Sequence, residues 1–284
     1  MIRQVNKPFQ SCLTLIYGDN FDVVVFRNDG GGSAATINGW VAEKTNNMIT
    51  EIVPASAIDA LTQLILVNAV YFKGDWKNKF DAKRTKNQDF HVSPKETLKV
   101  KMMFMEEDFH FGVNRNLKCQ AIELPYAGDT LSMFILLPDR TTTLSQLEGK
   151  LTSDDLVNIR RKFNMSSEEV KVWLPKFRLD EQLSLAESLG GMGMKDLFVD
   201  GVADLSGVDG THQLYVSSVL HRAVVDVNEE GTESAAATAL TMVTMCARFE
   251  ECIFRADHPF LFFIEHKPTR SIVFLGRLVK PLPA

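Results

Sequence analysis

Residues Leu61 to Phe72 read LTQLILVNAVYF and are close to continuously apolar. A half-buried strand alternates apolar and polar side chains; a run that does not alternate is expected of a strand buried on both faces. Such a strand demands a large, layered structure around it. The chain is long enough to provide one, with 284 residues of which 45% are hydrophobic and 24% charged, an ordinary globular composition. No Pro/Ser-rich linker, low-complexity tract or repeat marks an internal boundary, so one domain over 1–284 is expected.

The flanking elements come in irregular order. Phe21–Phe26 reads as a strand, broken by Asn28 to Gly32. Ser33 is placed to cap a helix through Ile37, Trp40, Val41 and Lys44, with Ile37, Trp40, Val41 and Met48 on one face. Gln120–Leu137 reads as two strands joined through the turn-rich Tyr126–Asp129. Helical periodicity follows over Leu144–Phe163, with Thr152 as a cap, then a strand at Val170–Leu174 and a helix over Leu183–Leu189. Strands dominate the remainder, at Leu214–Val227, Phe260–Glu265 and Ser271–Leu278. This order predicts an α+β fold rather than a doubly wound sheet.

Several function classes are disfavoured. A net charge of −5 argues against a general polyanion binder. The densest basic run is Arg160-Arg161-Lys162, with Lys83-Arg84 and Lys86 looser; a solvated face is the main reading of both and heparin-like binding the minor one. Four scattered cysteines (Cys12, Cys119, Cys246, Cys252) form no disulfide scaffold and read as reduced thiols. There is no 18-residue apolar run and no signal peptide at Met1. Asn164-Met165-Ser166 is a glycosylation sequon, meaningful only on the secretory route. The chain lacks HExxH, GxSxG, GxxxxGK[ST] and any zinc-spaced Cys/His set, so neither an enzyme, a metal nor a cofactor is expected. Gly190-Gly191-Met192-Gly193 follows a helix and reads as its terminal cap.

The informative segment is Glu229-Glu230-Gly231-Thr232-Glu233-Ser234-Ala235-Ala236-Ala237-Thr238-Ala239. Its alanines favour a helix, and a surface helix or flexible loop remains open on residue chemistry alone. As a strand, it would turn Thr232, Ser234, Ala236 and Thr238 inward, all small, and its only charge, Glu233, outward. It contains no proline, and Gly231 provides a hinge. A strand entering between packed neighbours needs these properties: no overlap, and no unpaired charge buried.

EEGTESAAATA closely resembles the hinge of inhibitory serpins, with Ser234 in place of an alanine. Further serpin-like motifs follow in the family's order: Leu66–Trp76 (LVNAVYFKGDW), Glu123–Tyr126 (ELPY), Leu174–Phe177 (LPKF), Ala203–Gly207 (ADLSG), Val219–Ala223 (VLHRA), Ala256–Phe260 (ADHPF) and Phe274–Arg277 (FLGR). The resemblance, closest to intracellular ovalbumin-like serpins, runs from about residue 9 to the end. It implies a serpin fold, with a large mixed sheet, smaller sheets and surrounding helices. It also implies a suicide inhibitor of a serine or cysteine protease: the loop over about 229–252 is cleaved and inserts into the main sheet as a new strand.

In the family's usual frame the scissile bond falls between Met245 and Cys246, with Arg248 as the competing site. Met245 fits a chymotrypsin-like or elastase-like pocket and Arg248 a trypsin-like one. Cys246 is then a thiol beside the bond, an ordinary exposed one as the main reading and a redox-sensitive one as the minor reading. Trp76 matches the tryptophan where the loop first enters the sheet, and Asn68 and His221 match the pair beneath the opening sheet. The family begins with helices that have no counterpart here, so an N-terminal quarter is expected to be missing, the partners of Asn68 and His221 with it, and the 284 residues alone are expected to be poorly stable. A monomer binding neither nucleic acid nor membrane is expected, cytoplasmic, or extracellular if the true start is missing. The alternative reading is a non-inhibitory or inactive truncated serpin acting as a binding scaffold or a protease substrate.

Overall fold

The computed structural model describes residues 5–18, 26, 29–230 and 251–281. Its helices are α1 (Lys7–Tyr17), α2 (Gly30–Lys44), α3 (Leu144–Glu148), α4 (Ser153–Val157), α5 (Ile159–Lys162), α6 (Ala186–Gly191) and α7 (Ser206–Asp209). Its strands are β1 (Leu64–Phe72), β2 (Lys86–Ser93), β3 (Glu96–Asn114), β4 (Cys119–Pro125), β5 (Leu131–Pro138) and β6 (Ser166–Pro175). They continue with β7 (Phe177–Ser184), β8 (Val216–Val227), β9 (Cys252–Arg255), β10 (Phe260–His266) and β11 (Ser271–Leu278). The chain divides into two compact units, one of residues 1–72 and 179–225, the other of 73–178 and 226–284.

In the first unit the strands run in the order β1-β8-β7, with β1 and β8 parallel. Helix α2 and the segment after it cover one face, where Ala34, Val41, Ile49, Ile52 and Val53 pack with Leu220 and Val224 of β8. Alternate residues of β1 (Ile65, Val67, Ala69, Tyr71) lie half-buried against this cluster. The other face carries Leu66, 42% exposed, and Asn68. The strand expected to be buried on both faces therefore starts at Leu64 rather than Leu61, and none of its residues is fully buried. The physical reason is its position: β1 is the outermost strand of its sheet among the described residues, with a packed layer on one side.

Helix α2 begins earlier than expected. Its cap is Asp29, whose carboxylate accepts from the Gly32 amide at 2.7 Å, and Ser33 is buried inside the first turns. Trp40 leaves the apolar face, at 38% exposed, and Met48 lies beyond the helix end. The strand expected over Phe21–Phe26 falls outside the described residues, except for Phe26. The helix expected over Leu183–Leu189 is split: β7 runs on to Ser184, and α6 opens at Ala186. Pairing within the sheet takes the residues that a local pattern assigned to the helix.

The second unit is built on a mixed eight-stranded sheet, ordered β11-β10-β5-β4-β3-β6-β9, with β2 hairpinned onto β3. The β4–β5 hairpin turns through Gly128 and Asp129, both at positive φ (80° and 54°). The expected long helix after it is three short ones, each of the first two opened by a threonine capping box, at Thr143 and Thr152. They seat Leu144, Leu147, Ile159 and Phe163 on Ala121, Phe134, Leu136, Leu261 and Phe263 of the sheet.

Candidate functional site

Strand β8 ends at Val227, and the chain then passes Asn228, Glu229 and Glu230 before the expected reactive loop. This root is anchored. The indole N–H of Trp76 donates to the Asn228 carbonyl at 2.8 Å, and the Phe80 amide donates to the Glu229 carbonyl at 3.1 Å. Trp76 is buried, stacked on Tyr126 at 4.5 Å with the rings 8° from parallel, and Phe80 meets it edge-on. A single β-bridge between Trp76 and Tyr126 fixes the stack.

Glu229 is 7% exposed, and both carboxylate oxygens are satisfied. Thr85 Oγ1 donates to one at 2.8 Å, and Lys176 Nζ pairs with the other at 2.6 Å. Burial pushes this carboxyl up, but the Lys176 ion pair and the hydrogen bonds of its own backbone and of Thr85 outweigh it and hold it below the usual range. Glu229, expected as the first hinge residue, is thus a fixed point, and Glu230 is exposed. Thr85 and Lys176 were not singled out from the sequence. Lys176 sits within the LPKF motif, but no local pattern points either residue at a carboxylate that, for Thr85, lies 144 positions away.

In the first unit the structure brings Asn68 and His221 together. They occupy paired positions on parallel β1 and β8, and Asn68 Oδ1 lies 3.0 Å from His221 Nδ1. Each is hydrogen-bonded to the other. Their face is the one away from α2, where Asn68 is exposed and His221 half-buried. Gly231, Thr232, Glu233, Ser234, Ala235, Ala236, Ala237 and Thr238 of the hinge lie outside the described residues, as do Met245, Cys246 and Arg248.

Two members of the basic run, Arg160 and Lys162, are paired within the chain. Arg160 donates to both oxygens of Glu123, at 3.0 and 2.9 Å, and to Glu265 at 3.0 Å; both carboxylates are buried. Its guanidinium also lies over the Phe134 ring at 4.8 Å. Burial pushes the Glu123 carboxyl up, while the hydrogen bonds and charge of Arg160, helped by Lys267, bring it below the ordinary value. Lys162 pairs with Asp154 at 2.6 Å. The arginine is a structural counter-ion, and Arg160→Leu is expected to cost about 3–5 kcal/mol by leaving two buried carboxylates short of charge. Urea denaturation checks this, and a loss below ~1 kcal/mol would contradict the assignment.

Among the described residues no group of three or more His, Cys, Asp or Glu is disposed to hold a metal ion. The anchored root in one unit and the paired Asn68 and His221 in the other are what the described residues show of the expected site. Comparison with known proteins adds the family. The family model "Serpin (serine protease inhibitor)" matches residues 3–281. The leukocyte elastase inhibitor of Bos taurus is 49% identical over 251 residues, covering 87% of this chain and 66% of the relative. The Homo sapiens leukocyte elastase inhibitor is 43% identical over 269 residues, 93% of this chain and 71% of that protein. Among solved structures, uncleaved ovalbumin superposes with a TM-score of 0.87 at 32% identity, covering 98% of this chain and 70% of ovalbumin. Serpin48 of the insect Tenebrio molitor gives 0.84 at 32%, covering 98% and 72%. The chain belongs to the serpin family and has the serpin fold, as the hinge and the ordered motifs led one to expect.

Proposed function

We propose that this chain inhibits a chymotrypsin-like or elastase-like serine protease, as a monomer, by offering the loop of about 229–252 for cleavage between Met245 and Cys246. The cut loop then inserts between β1 and β8. The observation that carries this reading is the parallel pairing of those two strands, registered from Leu64–Val216 to Phe72–Val225. The chain leaves β8 at its C-terminal end, so a segment folding back on β8 runs antiparallel to both strands. One parallel interface is thereby replaced by two antiparallel ones, with a second ladder of hydrogen bonds and slightly better pairing per residue. Asn68 and His221 must exchange their mutual bond for others as the strands part, and the bonds of Trp76 to Asn228 and of Phe80 to Glu229 set where the pivot begins.

The similarity to leukocyte elastase inhibitors supports an elastase-like target, and Met245 fits such a pocket. The test is limited cleavage by elastase, mass mapping of the cut and a comparison of melts. Insertion predicts cutting after Met245 and a cleaved chain far more heat-resistant than the intact one. Cutting after Arg248 would move the target to trypsin-like proteases, and an unchanged melt would refute insertion.

One observation favours a second reading, a loop that is cut but does not insert: Leu66 of β1 is 42% exposed. The chain spans 66–71% of the length of the relatives described above. The same comparison of melts separates the two.

A further inference from the structure

The edge of the eight-stranded sheet carries a stack of side chains that the reactive-loop reading leaves unused. Strand register sets Phe104 of β3, Trp173 of β6 and Arg255 of β9 side by side. The Arg255 guanidinium lies 4.4 Å from the centre of the Trp173 ring, and the Trp173 and Phe104 centroids are 4.6 Å apart. Arg84 closes the row, 4.2 Å from the Phe104 centroid. On the opposite face of the same strands Met103, Met105, Val172, Leu174 and Phe254 are buried, so the row lies on the outer face. Phe104 and Trp173 are half-exposed, and Arg84 and Arg255 exposed.

The charge on this row is unspent. Among the described residues neither arginine forms an ion pair; Arg255 has only a 3.3 Å bond to the Gln88 amide oxygen. Exposed Lys83 and Lys86, also without ion pairs, flank Arg84. One step along the same strands the pattern reverses: Lys171 is satisfied by Glu251 at 2.8 Å and Glu106 at 3.8 Å. Guanidinium groups seated over aromatic rings leave N–H donors available, an arrangement suited to carboxylates.

Position gives the row its meaning. Cys252 opens β9 six residues past Cys246, a stretch of chain that spans at most about 20 Å in any conformation. A protease domain of ordinary size has a radius of gyration of roughly 17 Å. A protease engaged at Met245–Cys246 therefore has its surface within reach of the β9 edge. We propose that the Arg84–Phe104–Trp173–Arg255 row is a second docking surface for the target protease, selecting one that carries an acidic patch beside its active-site cleft. This rests on the reading of 229–252 as the reactive loop.

The test uses the full chain and a panel of chymotrypsin-like and elastase-like proteases, acidic to basic beside the cleft, each with its catalytic serine replaced by alanine. Docking is then read without trapping. Two double variants are compared, Arg84→Glu with Arg255→Glu, and Lys83→Glu with Lys86→Glu, the second leaving the stack untouched; thermal melts establish that each is folded. Both pairs are expected to slow association at low salt by about 10-fold, with rates converging at high salt. The loss should appear only for proteases with the acidic patch.

Unchanged low-salt rates, an equal loss for every protease, or a parent that binds none of them would overturn the proposal. Heparin retention that disappears in the variants while protease rates hold would also overturn it, assigning the row to polyanions. Active protease run in parallel reports separately on the loop: docking without an SDS-stable complex defeats the trapping reading and leaves the surface standing.

Discussion

Replacing Ala236 by glutamate is expected to turn the chain from an inhibitor into a substrate. In an inserted strand Ala236 belongs to the inward set with Thr232, Ser234 and Thr238, and a carboxylate there has to be buried between β1 and β8 without a partner. Burying an unpaired charge costs several kcal/mol, and even a fraction of that slows insertion by about 10-fold or more. Cleavage after Met245 is unaffected, because the bond lies nine residues on. Hydrolysis of the acyl-enzyme then outruns insertion, and free cut chain replaces complex. The control is Ala237→Glu, one residue on and facing outward, which is expected to retain most of the complex. Denaturing gels of both variants with elastase decide the matter: equal effects at 236 and 237 would rule out the strand parity on which the argument stands.

The second large effect is expected at the loop root. Glu229→Lys removes the ion pair with Lys176 and sets two positive charges where one pair was, in a site 7% exposed. Lys176 keeps partial access to water, so the cost is placed at about 3 kcal/mol, below that of a fully buried pair. For a chain of 284 residues that corresponds to a fall of roughly 4–6 °C in Tm. The Phe80 and Trp76 bonds to the same segment should loosen with it, and Trp76 fluorescence reports the change. Glu229→Lys combined with Lys176→Glu should recover part of the loss, and no recovery would mean that the pair does not couple.

The same carboxylate makes a pH prediction. Its folded pKa is depressed, so its contribution is complete above the unfolded carboxylate value of about 4.3 and is lost as pH falls through the lower folded value. Stability should therefore decline on acidification below about pH 5, and Glu229→Gln should flatten part of that decline. A parallel pH profile in the variant would remove Glu229 from the account.

The sequence carried the fold wherever local chemistry and tertiary environment agreed. Ser271–Leu278 is a strand over the expected residues, and Thr152 caps where a threonine before a helical pattern should. Asn68 and His221, matched through motifs far apart in the chain, are hydrogen-bonded across adjacent strands. Legibility failed where long-range contacts decide. Asp29 outcompetes Ser33 as a cap because the glycines between them can enter the first helical turn. Leu183 and Ser184 extend β7 through sheet pairing, although their own pattern reads as helix. The 19-residue β3, which bridges the β2 hairpin to β4 and β6, has no compact local signature. The loop root shows the limit most clearly: the glutamates before Gly231 mark the hinge in sequence, while Thr85 and Lys176, which hold Glu229, come from distant connections between elements.

The central claim, that the loop is both bait and incoming strand, is tested most directly by incubation with elastase, chymotrypsin and trypsin followed by denaturing gels and mass mapping. The account predicts an SDS-stable complex with elastase or chymotrypsin, with the chain cut after Met245. Complete cleavage at that bond with no complex at any protease concentration would contradict it, leaving a loop that baits a protease but does not trap it.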